Sequence, residues 1–180
     1  YRDAKFAMAN TFNLLAQGFD VDGKSVIEKA NRNYDRSDIP SPGFVAGPCL
    51  EKDAFILSSN VADPKLKDVI LTMRKANTYL EQRVAAYLRN ILKTYPNSKI
   101  VISGIAFKGI PETNDLRGSS SVNILNQLAE YSDNIITHDF MNTKHDLQSQ
   151  IGFKAIEPNE LLNSLNQEVD HFIILTNHPS

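Results

Sequence analysis

Apolar residues recur at helical spacing through the first half of the chain. From Tyr1 to Gln17 they lie mostly three or four residues apart, which predicts a helix that ends at Gly18. The same reasoning predicts a short helix over residues 25–33 and another from Cys49 to about Ser59. Residues 33–48 between them are rich in Asp, Ser, Pro and Gly and are predicted to form a long loop, a type of segment that is often functional.

One helix is predicted to be much longer than the others. Asp63 suits an N-cap and Pro64 the first helical position, and apolar residues then keep helical spacing up to Tyr95. About thirty residues at about 1.5 Å each give a rod of roughly 45 Å. A helix of this length is typical of a connection between domains or of a dimer contact.

The pattern changes after Pro96 to short β-branched runs separated by amphipathic segments. The predicted elements are strand 99–104, helix 119–131, strand 134–138, a loop or short strand over 148–156, helix 158–165 and strand 171–176. The order β-α-β-α-β indicates a doubly wound parallel sheet. We therefore predict an α/β chain, in which a helical domain of residues 1–95 includes the long helix and leads to a Rossmann-like domain of residues 96–180.

Composition and charge exclude several classes of protein. The 180 residues carry a net charge of -2 with a pI of about 6.1, which gives no electrostatic basis for binding nucleic acid. Apolar runs such as Phe172–Leu175 are too short to cross a membrane, and a single cysteine fits a reducing compartment. We expect a cytoplasmic protein that binds neither nucleic acid nor membrane. The four histidines lack metal-ligand spacing with carboxylate support, so no metal site is predicted.

The single cysteine, Cys49, follows the Gly/Pro-rich loop directly. Lys52 and Asp53 come three and four residues later, which is one turn away if a helix begins at Cys49. A thiol with a carboxylate one turn along suits covalent catalysis. A lone intracellular cysteine is more often a small buried apolar residue, and the residues alone leave both interpretations open.

A second loop carries candidate chemistry beyond the first strand. Residues 104–109 and 114–120 contain Lys108 and Arg117, and serines then open a helix, an arrangement that suits a phosphate or diphosphate. An ordinary solvated loop explains the same residues equally well. No G-x-G-x-x-G motif occurs in the chain, and Ile110-Pro111 occupy the positions where a Walker motif requires Lys and Ser or Thr.

Four stretches, taken in order, resemble the UDP-glucose/GDP-mannose dehydrogenase family, whose members oxidise the C6 alcohol of nucleotide sugars. They are YRDAKFAMAN at residues 1–10, PGFVAGPCLEKD at 42–53, GIAFK at 104–108 with NDLRGS at 114–119, and ILTNH at 174–178. The resemblance covers nearly the whole chain, and the order of the four motifs makes it specific.

The resemblance implies a covalent mechanism with NAD as cofactor. Cys49 would capture the aldehyde formed by a first hydride transfer, and a second transfer would leave a thioester that water hydrolyses. Asp53 would help to handle the proton. Cys49 is also expected to lie against the cofactor, and Arg117 to reach the NAD diphosphate.

The resemblance also implies the substrate-binding residues of a UDP-sugar. Phe107 and Lys108 would meet the nucleotide sugar, and a loop would cradle its hexose and diphosphate. Arg36 would contact substrate across a homodimer formed by the helical domain, although Arg32 competes for this role. The predicted cradle residues are Ser41, Pro42, Gly43, Phe44 and Gly47.

The chain departs from the family pattern at Thr11, Gly118 and Asp139-Phe140, and Ala46 and Pro48 beside the cysteine leave the choice of sugar open. We expect the NAD-binding Rossmann domain to precede Tyr1 in a longer protein, so that these residues alone would be inactive. The family implies a role in envelope or capsular polysaccharide synthesis. Two alternatives stay open, namely a thiol hydrolase or acyltransferase that uses Cys49, and a non-catalytic nucleotide-binding dimerisation module.

Overall fold

A computed structural model of the protein describes residues 1–165 and 169–178. The chain forms two compact units, one of residues 1–45 and 49–81 and one of residues 46–48 and 82–180. The division between the units falls within the longest helix, between Glu81 and Gln82.

The first unit is helical. Its elements are α1 (Arg2–Gln17), α2 (Gly23–Asn31), α3 (Pro48–Ser59) and the first part of α4 (Pro64–Thr94). Side chains of aspartate cap two of these helices: Asp22 accepts from the backbone amides of Lys24 and Ser25, and Asp63 accepts from the amide of Lys65 at 2.8 Å. The predicted start of the 31-residue helix α4 is thereby confirmed.

The second unit contains a four-stranded parallel sheet. Its elements are the last part of α4, β1 (Ile100–Ser103), α5 (Ser120–Asn126), β2 (Ile135–His138), α6 (Lys144–Ile151), β3 (Lys154–Ala155), α7 (Leu161–Leu165) and β4 (His171–Ile174). Single 3-10 turns lie at Ala129–Tyr131 and Pro158–Glu160. The strand order is β3-β2-β1-β4, and Ile100 of β1 pairs with Ile135 on one side and with His171 on the other.

Both units bury polar as well as apolar side chains. The second unit has an apolar core in which every residue of β1 is buried and α5 contributes Ile124 and Leu125. In the helical unit, Arg74, Asn77 and Glu81 of α4 are all at most 5 % exposed. Buried polar groups need hydrogen-bond partners, so the side chains of these three residues must be paired within the fold.

The sheet differs from the prediction over residues 144–156. We expected a loop or short strand over 148–156, whereas the structure has α6 and then the two-residue strand β3. Thr143 and Asp146 form a capping box and Gly152 ends the helix in the left-handed conformation. Leu147 is the only buried residue of α6, so the segment lacks the apolar repeat that would reveal a helix. The predicted helix 119–131 is also shorter, since α5 ends at Asn126.

Within residues 1–165 and 169–178, no helix is both long enough and apolar enough to cross a membrane.

Candidate functional site

The cysteine lies at the start of α3. Cys49 is the second residue of that helix and its side chain is exposed, so the interpretation of a buried apolar thiol is wrong. Asp53 follows one turn later, as predicted, and is also exposed. Its carboxylate lies 3.8 Å from the ammonium of Lys52, and both side chains are more than half exposed. The first two turns of α3 therefore present a thiol, a carboxylate and an ammonium group to solvent.

A cleft of about 200 Å³ in the helical unit opens beside this turn. Its wall includes Asp53 and Leu50 of α3, Asp3 of α1 and Met73 of α4. Asp53 thus faces a mixed polar and apolar recess within its own unit.

The loop that precedes the cysteine is fixed at Gly43 by a buried asparagine. Asn10 of α1 accepts from the Gly43 amide at 2.8 Å and donates to the Gly43 carbonyl at 2.9 Å. Paired contacts of this kind fix the backbone on both sides of Gly43. Of the other predicted cradle residues, Ser41 is exposed and Pro42 and Phe44 are partly exposed.

Two buried residues of α4 that are not among the predicted site residues also hold this region. Arg74 donates to the carbonyl oxygens of Val45 and Leu50, and Asn77 contacts both Asn10 and Asp3. Arg74, Asn77 and Glu81 are spaced three and four residues apart on one face of α4. This polar stripe beside an apolar repeat is the signal that could have found them.

The two arginines proposed for contact across a dimer are both exposed. Arg36 donates to the hydroxyl of Tyr34 at 2.7 Å, and its guanidinium lies 5.3 Å from the Tyr34 ring centroid. Arg32 follows α2, where its backbone amide donates to the Lys29 carbonyl. The structure leaves the choice between Arg32 and Arg36 open.

In the second unit, the loop after β1 is held by a buried carboxylate. Asp139, at the end of β2, accepts from the backbone amides of Ile105 at 2.7 Å and Ala106 at 2.9 Å. Its other oxygen accepts from Met141 and Asn142. Asp139 is fully buried, so these donors provide the compensation that a buried carboxylate requires.

Glycines allow the same loop to pack closely against the backbone that follows β4. A Cβ atom at Gly104 would lie 2.0 Å from the Thr176 carbonyl oxygen, and one at Gly109 would lie 1.9 Å from that of Asn177. Gly104 also has a φ of 79°, which favours glycine. The sequence between these glycines includes Phe107 and Lys108, which the fold therefore holds on an anchored segment.

Phe107 and Lys108 are partly exposed at this edge of the sheet, and the Lys108 ammonium lies 5.3 Å from the Phe107 ring centroid. Gly47 belongs to the same unit: its amide donates to the Gly118 carbonyl at 2.8 Å. A Cβ atom at Gly47, whose φ is 109°, would lie 3.1 Å from the Phe107 ring. The structure thus brings together Gly47 and Phe107 from the predicted substrate-binding set.

Arg117 forms a bidentate pair with Asp115. Its Nε and Nη2 donate to the carboxylate at 3.0 Å and 2.8 Å, and its backbone amide donates to the same group at 2.9 Å. These contacts lower the pKa of Asp115 to about 2, chiefly through the side-chain hydrogen bonds from Arg117. The Arg117 side chain is 78% exposed, so the planar guanidinium is oriented yet faces solvent.

Two of the serines at the start of α5 bind the loop after β1 through their hydroxyl groups. Ser119 caps the helix and donates to the Ile105 carbonyl at 2.6 Å, and Ser121 donates to the Gly104 carbonyl at 2.8 Å. Both are buried, so their hydroxyls hold the loop after β1 in place.

Two buried histidines lie near Asp139. His138 pairs with the Ser103 hydroxyl through Nδ1 at 2.9 Å, and its Nε2 lies 3.4 Å from the Pro158 carbonyl, which places the ring proton on Nε2. Burial lowers the pKa of His138 below its usual 6.5. His178 Nε2 lies 3.6 Å from Asp139, and neither ring nitrogen has a hydrogen-bond partner among the described residues.

Each of the two units therefore presents its own set of functional groups. The helical unit presents an exposed thiol and carboxylate on the first two turns of α3. The second unit presents an aromatic ring and two cationic side chains, Lys108 and Arg117, on a loop at the carboxyl end of a parallel sheet, where α/β proteins bind ligands.

Models of one protein family match both parts of the chain. The UDP-glucose/GDP-mannose dehydrogenase family, central domain, matches residues 1–86, and the UDP binding domain of the same family matches residues 101–180.

Individual proteins to which the chain is similar are UDP-sugar dehydrogenases. The chain is 30% identical over 183 residues to the UDP-N-acetyl-D-mannosamine dehydrogenase of Campylobacter jejuni, covering 99% of this chain and 42% of the relative. It is 29% identical over 185 residues to the enzyme of the same name from Pyrococcus horikoshii, covering 99% of this chain and 40% of the relative. The chain thus spans about two fifths of the length of these relatives.

Solved structures share the fold. The structure of UDP-D-ManNAc dehydrogenase from Pyrococcus horikoshii has a TM-score of 0.78 at 27% identity, over 99% of this chain and 40% of that one. A UDP-glucose dehydrogenase from Pyrobaculum islandicum has a TM-score of 0.76 at 24% identity, over 98% of this chain and 41% of that one.

Proposed function

This chain belongs to the UDP-glucose/GDP-mannose dehydrogenase family, and from that membership we propose that it is the central and UDP-binding part of an NAD-dependent nucleotide-sugar 6-dehydrogenase. The substrate is a UDP-hexose or UDP-N-acetylhexosamine whose C6 alcohol is oxidised to a carboxylate. The observation that carries the proposal is the exposed thiol of Cys49 on the first turn of α3, directly after the Gly/Pro loop.

Cys49 acts as the nucleophile of the reaction. After the alcohol has lost a hydride and a proton, the thiolate adds to the aldehyde carbon and forms a C–S bond. Loss of a second hydride from this thiohemiacetal gives a thioester. Water attacks the thioester carbonyl, the C–S bond breaks, and the uronic acid leaves with the thiol restored. Asp53, exposed one turn from the thiol, takes a proton from the attacking water.

Phe107 and Lys108 bind the nucleotide sugar. The ammonium of Lys108 offsets the charge of the diphosphate, and the Phe107 ring offers an apolar surface to the ligand. The backbone of both residues is held in advance by the contacts of Asp139 with Ile105 and Ala106, which lowers the entropy lost on binding. In the helical unit, the proposed cradle residues 41–44 are fixed at Gly43 by Asn10.

Two NAD molecules, bound one after the other, would accept one hydride each. Arg117 is the residue of this chain that fits a contact with the NAD diphosphate, because the guanidinium is exposed and Asp115 fixes its plane. We propose that a dinucleotide-binding domain outside these residues provides the rest of the cofactor site, with Cys49 against the cofactor.

We further propose that the protein is a homodimer through its helical unit. Met8, Phe12, Leu15 and Phe19 repeat every three or four residues along and just beyond α1, and each is between 38% and 80% exposed. Such a continuous apolar stripe is typical of an interface. Arg36, or Arg32, would contact substrate in the partner. The family relationship supports a cytoplasmic role in envelope or capsular polysaccharide synthesis.

Binding of UDP tests the proposal most directly. Isothermal titration of the chain with UDP should show saturable binding that weakens at least about tenfold in Lys108→Ala, since a charge-assisted contact is lost. Lys144→Ala changes the net charge equally on an exposed part of the same unit and should bind as the unsubstituted chain does. Absence of UDP binding, or equal losses in the two variants, would contradict the assignment of the nucleotide loop.

The experiment that tests the role of Cys49 uses the longer protein, which includes the proposed dinucleotide-binding domain. In the complete dehydrogenase, Cys49→Ala should abolish formation of the uronic acid. Retention of that activity would refute the thioester mechanism.

A further inference from the structure

Arg74 is a charged residue that the proposed chemistry does not use, and yet it is 5% exposed on α4. Removing a guanidinium from water is costly unless hydrogen bonds and an opposite charge compensate it. Its partners therefore indicate why the chain keeps an arginine there.

The guanidinium of Arg74 contacts both sides of the short segment that contains Cys49. Nη2 donates to the carbonyl of Val45 at 3.5 Å, and Nη1 donates to the carbonyl of Leu50 at 3.3 Å. Residues 46–49 lie between these two contacts in the sequence. One side chain thus holds the backbone just before the loop turns into α3 and just after the thiol.

A carboxylate on α1 fixes the arginine in turn. Asp3 Oδ1 lies 3.0 Å from Arg74 Nη1, and both side chains are less than 15% exposed. The amide of Asn77 donates to the same carboxylate at 2.6 Å and to the Asp3 carbonyl at 2.9 Å. Asp3 therefore balances the charge of Arg74 while Asn77 holds Asp3 in place.

The network continues to the other end of the loop. Asn77 Oδ1 accepts from Asn10 at 3.0 Å, and Asn10 binds both the amide and the carbonyl of Gly43. A continuous path of hydrogen bonds thus joins Gly43 to Arg74, and through Arg74 to Val45 and Leu50. Networks of this kind, when fully satisfied, select one backbone conformation.

We propose that Arg74 is a positioning residue for Cys49: through its contacts with Val45 and Leu50 it sets the course of the backbone that presents the thiol. The planar fork of arginine can reach two carbonyl oxygens and a carboxylate in different directions, which a lysine ammonium on one flexible stem cannot reproduce. This role concerns the backbone and holds whether or not Cys49 performs the chemistry proposed above.

Two variants of α4 test the proposal. Arg74→Lys keeps the charge beside Asp3 but loses the fork, whereas Arg83→Lys makes the same change at an exposed position of the same helix. In hydrogen exchange of the whole chain, amides of residues 44–50 should exchange about tenfold faster in Arg74→Lys, since bonds from a charged donor are lost. Those of residues 100–103 should be unchanged, and Arg83→Lys should match the unsubstituted chain throughout.

A label on the single cysteine gives a second readout. A trifluoromethyl group attached to Cys49 should give the same ¹⁹F resonance in the unsubstituted chain and in Arg83→Lys, and a shifted or split resonance in Arg74→Lys. If Arg74→Lys does not fold, Asp3→Asn takes its place, because it removes the balancing charge and keeps the arginine. It should show the faster exchange of residues 44–50 and the altered ¹⁹F resonance, both to a smaller degree. Unchanged exchange over residues 44–50, or equal acceleration throughout the chain, would overturn the proposal and leave the dehydrogenase assignment unaffected.

Discussion

Asp139 accepts a 2.7 Å hydrogen bond from the backbone amide of Ile105, and this contact ties the end of β2 to the loop that follows β1. The bond is buried and the carboxylate has no access to water. The loop that carries Phe107 and Lys108 therefore depends on a residue more than thirty positions away in the sequence.

Asp139→Ala should destabilise the protein strongly. The change leaves the buried amides of Ile105 and Ala106 without their acceptor, so we expect a loss of about 3 kcal/mol or more in the free energy of unfolding. Urea denaturation followed by circular dichroism measures it. Asp133→Ala is the control, because that carboxylate is 93% exposed and its pairing with Lys154 is a surface one. Equal stabilities of the two variants would show that Asp139 is not an anchor.

Stability should fall on mild acidification because of His138. Burial lowers its pKa in the folded state, so the unfolded chain, with a pKa near 6.5, binds the proton more readily. The contribution of His138 is therefore fully present above pH 6.5 and is lost as the pH falls from 6.5 towards the lower folded value. His138→Asn keeps an acceptor for Ser103 and cannot titrate, so its loss of stability between pH 7.5 and 5.5 should be smaller by about 1 kcal/mol.

The matched variant for this measurement is His145→Asn, at an exposed position of α6. It should lose as much stability between pH 7.5 and 5.5 as the unsubstituted chain. A pH dependence that is unaltered in His138→Asn would assign the acid sensitivity to other groups.

Gly47 and Gly43 should respond differently to alanine although they lie in one loop. Gly47 has a φ of 109°, and an added Cβ would meet the Phe107 ring at 3.1 Å. We expect Gly47→Ala to cost about 1–3 kcal/mol and to weaken UDP binding through displacement of Phe107. A Cβ at Gly43 meets nothing within 4 Å, so Gly43→Ala should stay within about 0.5 kcal/mol of the unsubstituted chain.

Thermal unfolding with UDP titration compares the two alanine variants. If Gly43→Ala proved the more harmful, the conformation described for this loop would be incorrect.

Charge on the apolar stripe of α1 should disrupt the proposed dimer. Leu15 is 58% exposed in the single chain, and Leu15→Glu would place a carboxylate within the interface. Sedimentation velocity should show a dimer for the unsubstituted chain and a monomer for the variant, with unchanged helical content. Gln17→Glu adds the same charge at an exposed position of the same helix and should remain dimeric. A monomeric unsubstituted chain would remove the dimer from the proposal.

Much of the secondary structure could be predicted because its signals are local. Asp63-Pro64 marks the start of α4, and the apolar repeat that follows continues to its end. The β-branched run before Gly104 predicts β1, where every residue is buried. α6 was missed for the same reason: with Leu147 as its only buried residue it has no apolar repeat, and its capping box was the available signal.

The family and the candidate residues also come from the sequence, because motifs in a fixed order survive where identity is low. The loop at residues 42–53 and the segment at 104–108 are two of the four motifs whose order makes the resemblance specific. That Cys49 is exposed instead of buried could not be predicted, since the spacing of residues around a lone thiol is the same in either case.

By itself, then, the sequence determined most of the helical and extended segments, which family the chain belongs to, and which side chains are candidates for chemistry. Only the tertiary structure decided which residues hold those candidates in place. Asn10 binds Gly43, Arg74 binds carbonyl oxygens beside Cys49, and Asp139 binds the loop before Phe107. These contacts join residues that are 24 to 34 positions apart in the sequence. In each of them a side chain binds a backbone N–H or C=O group of the loop or helix start. Every residue has such groups, so no pattern of side chains reveals which of them a distant Asn, Arg or Asp will bind.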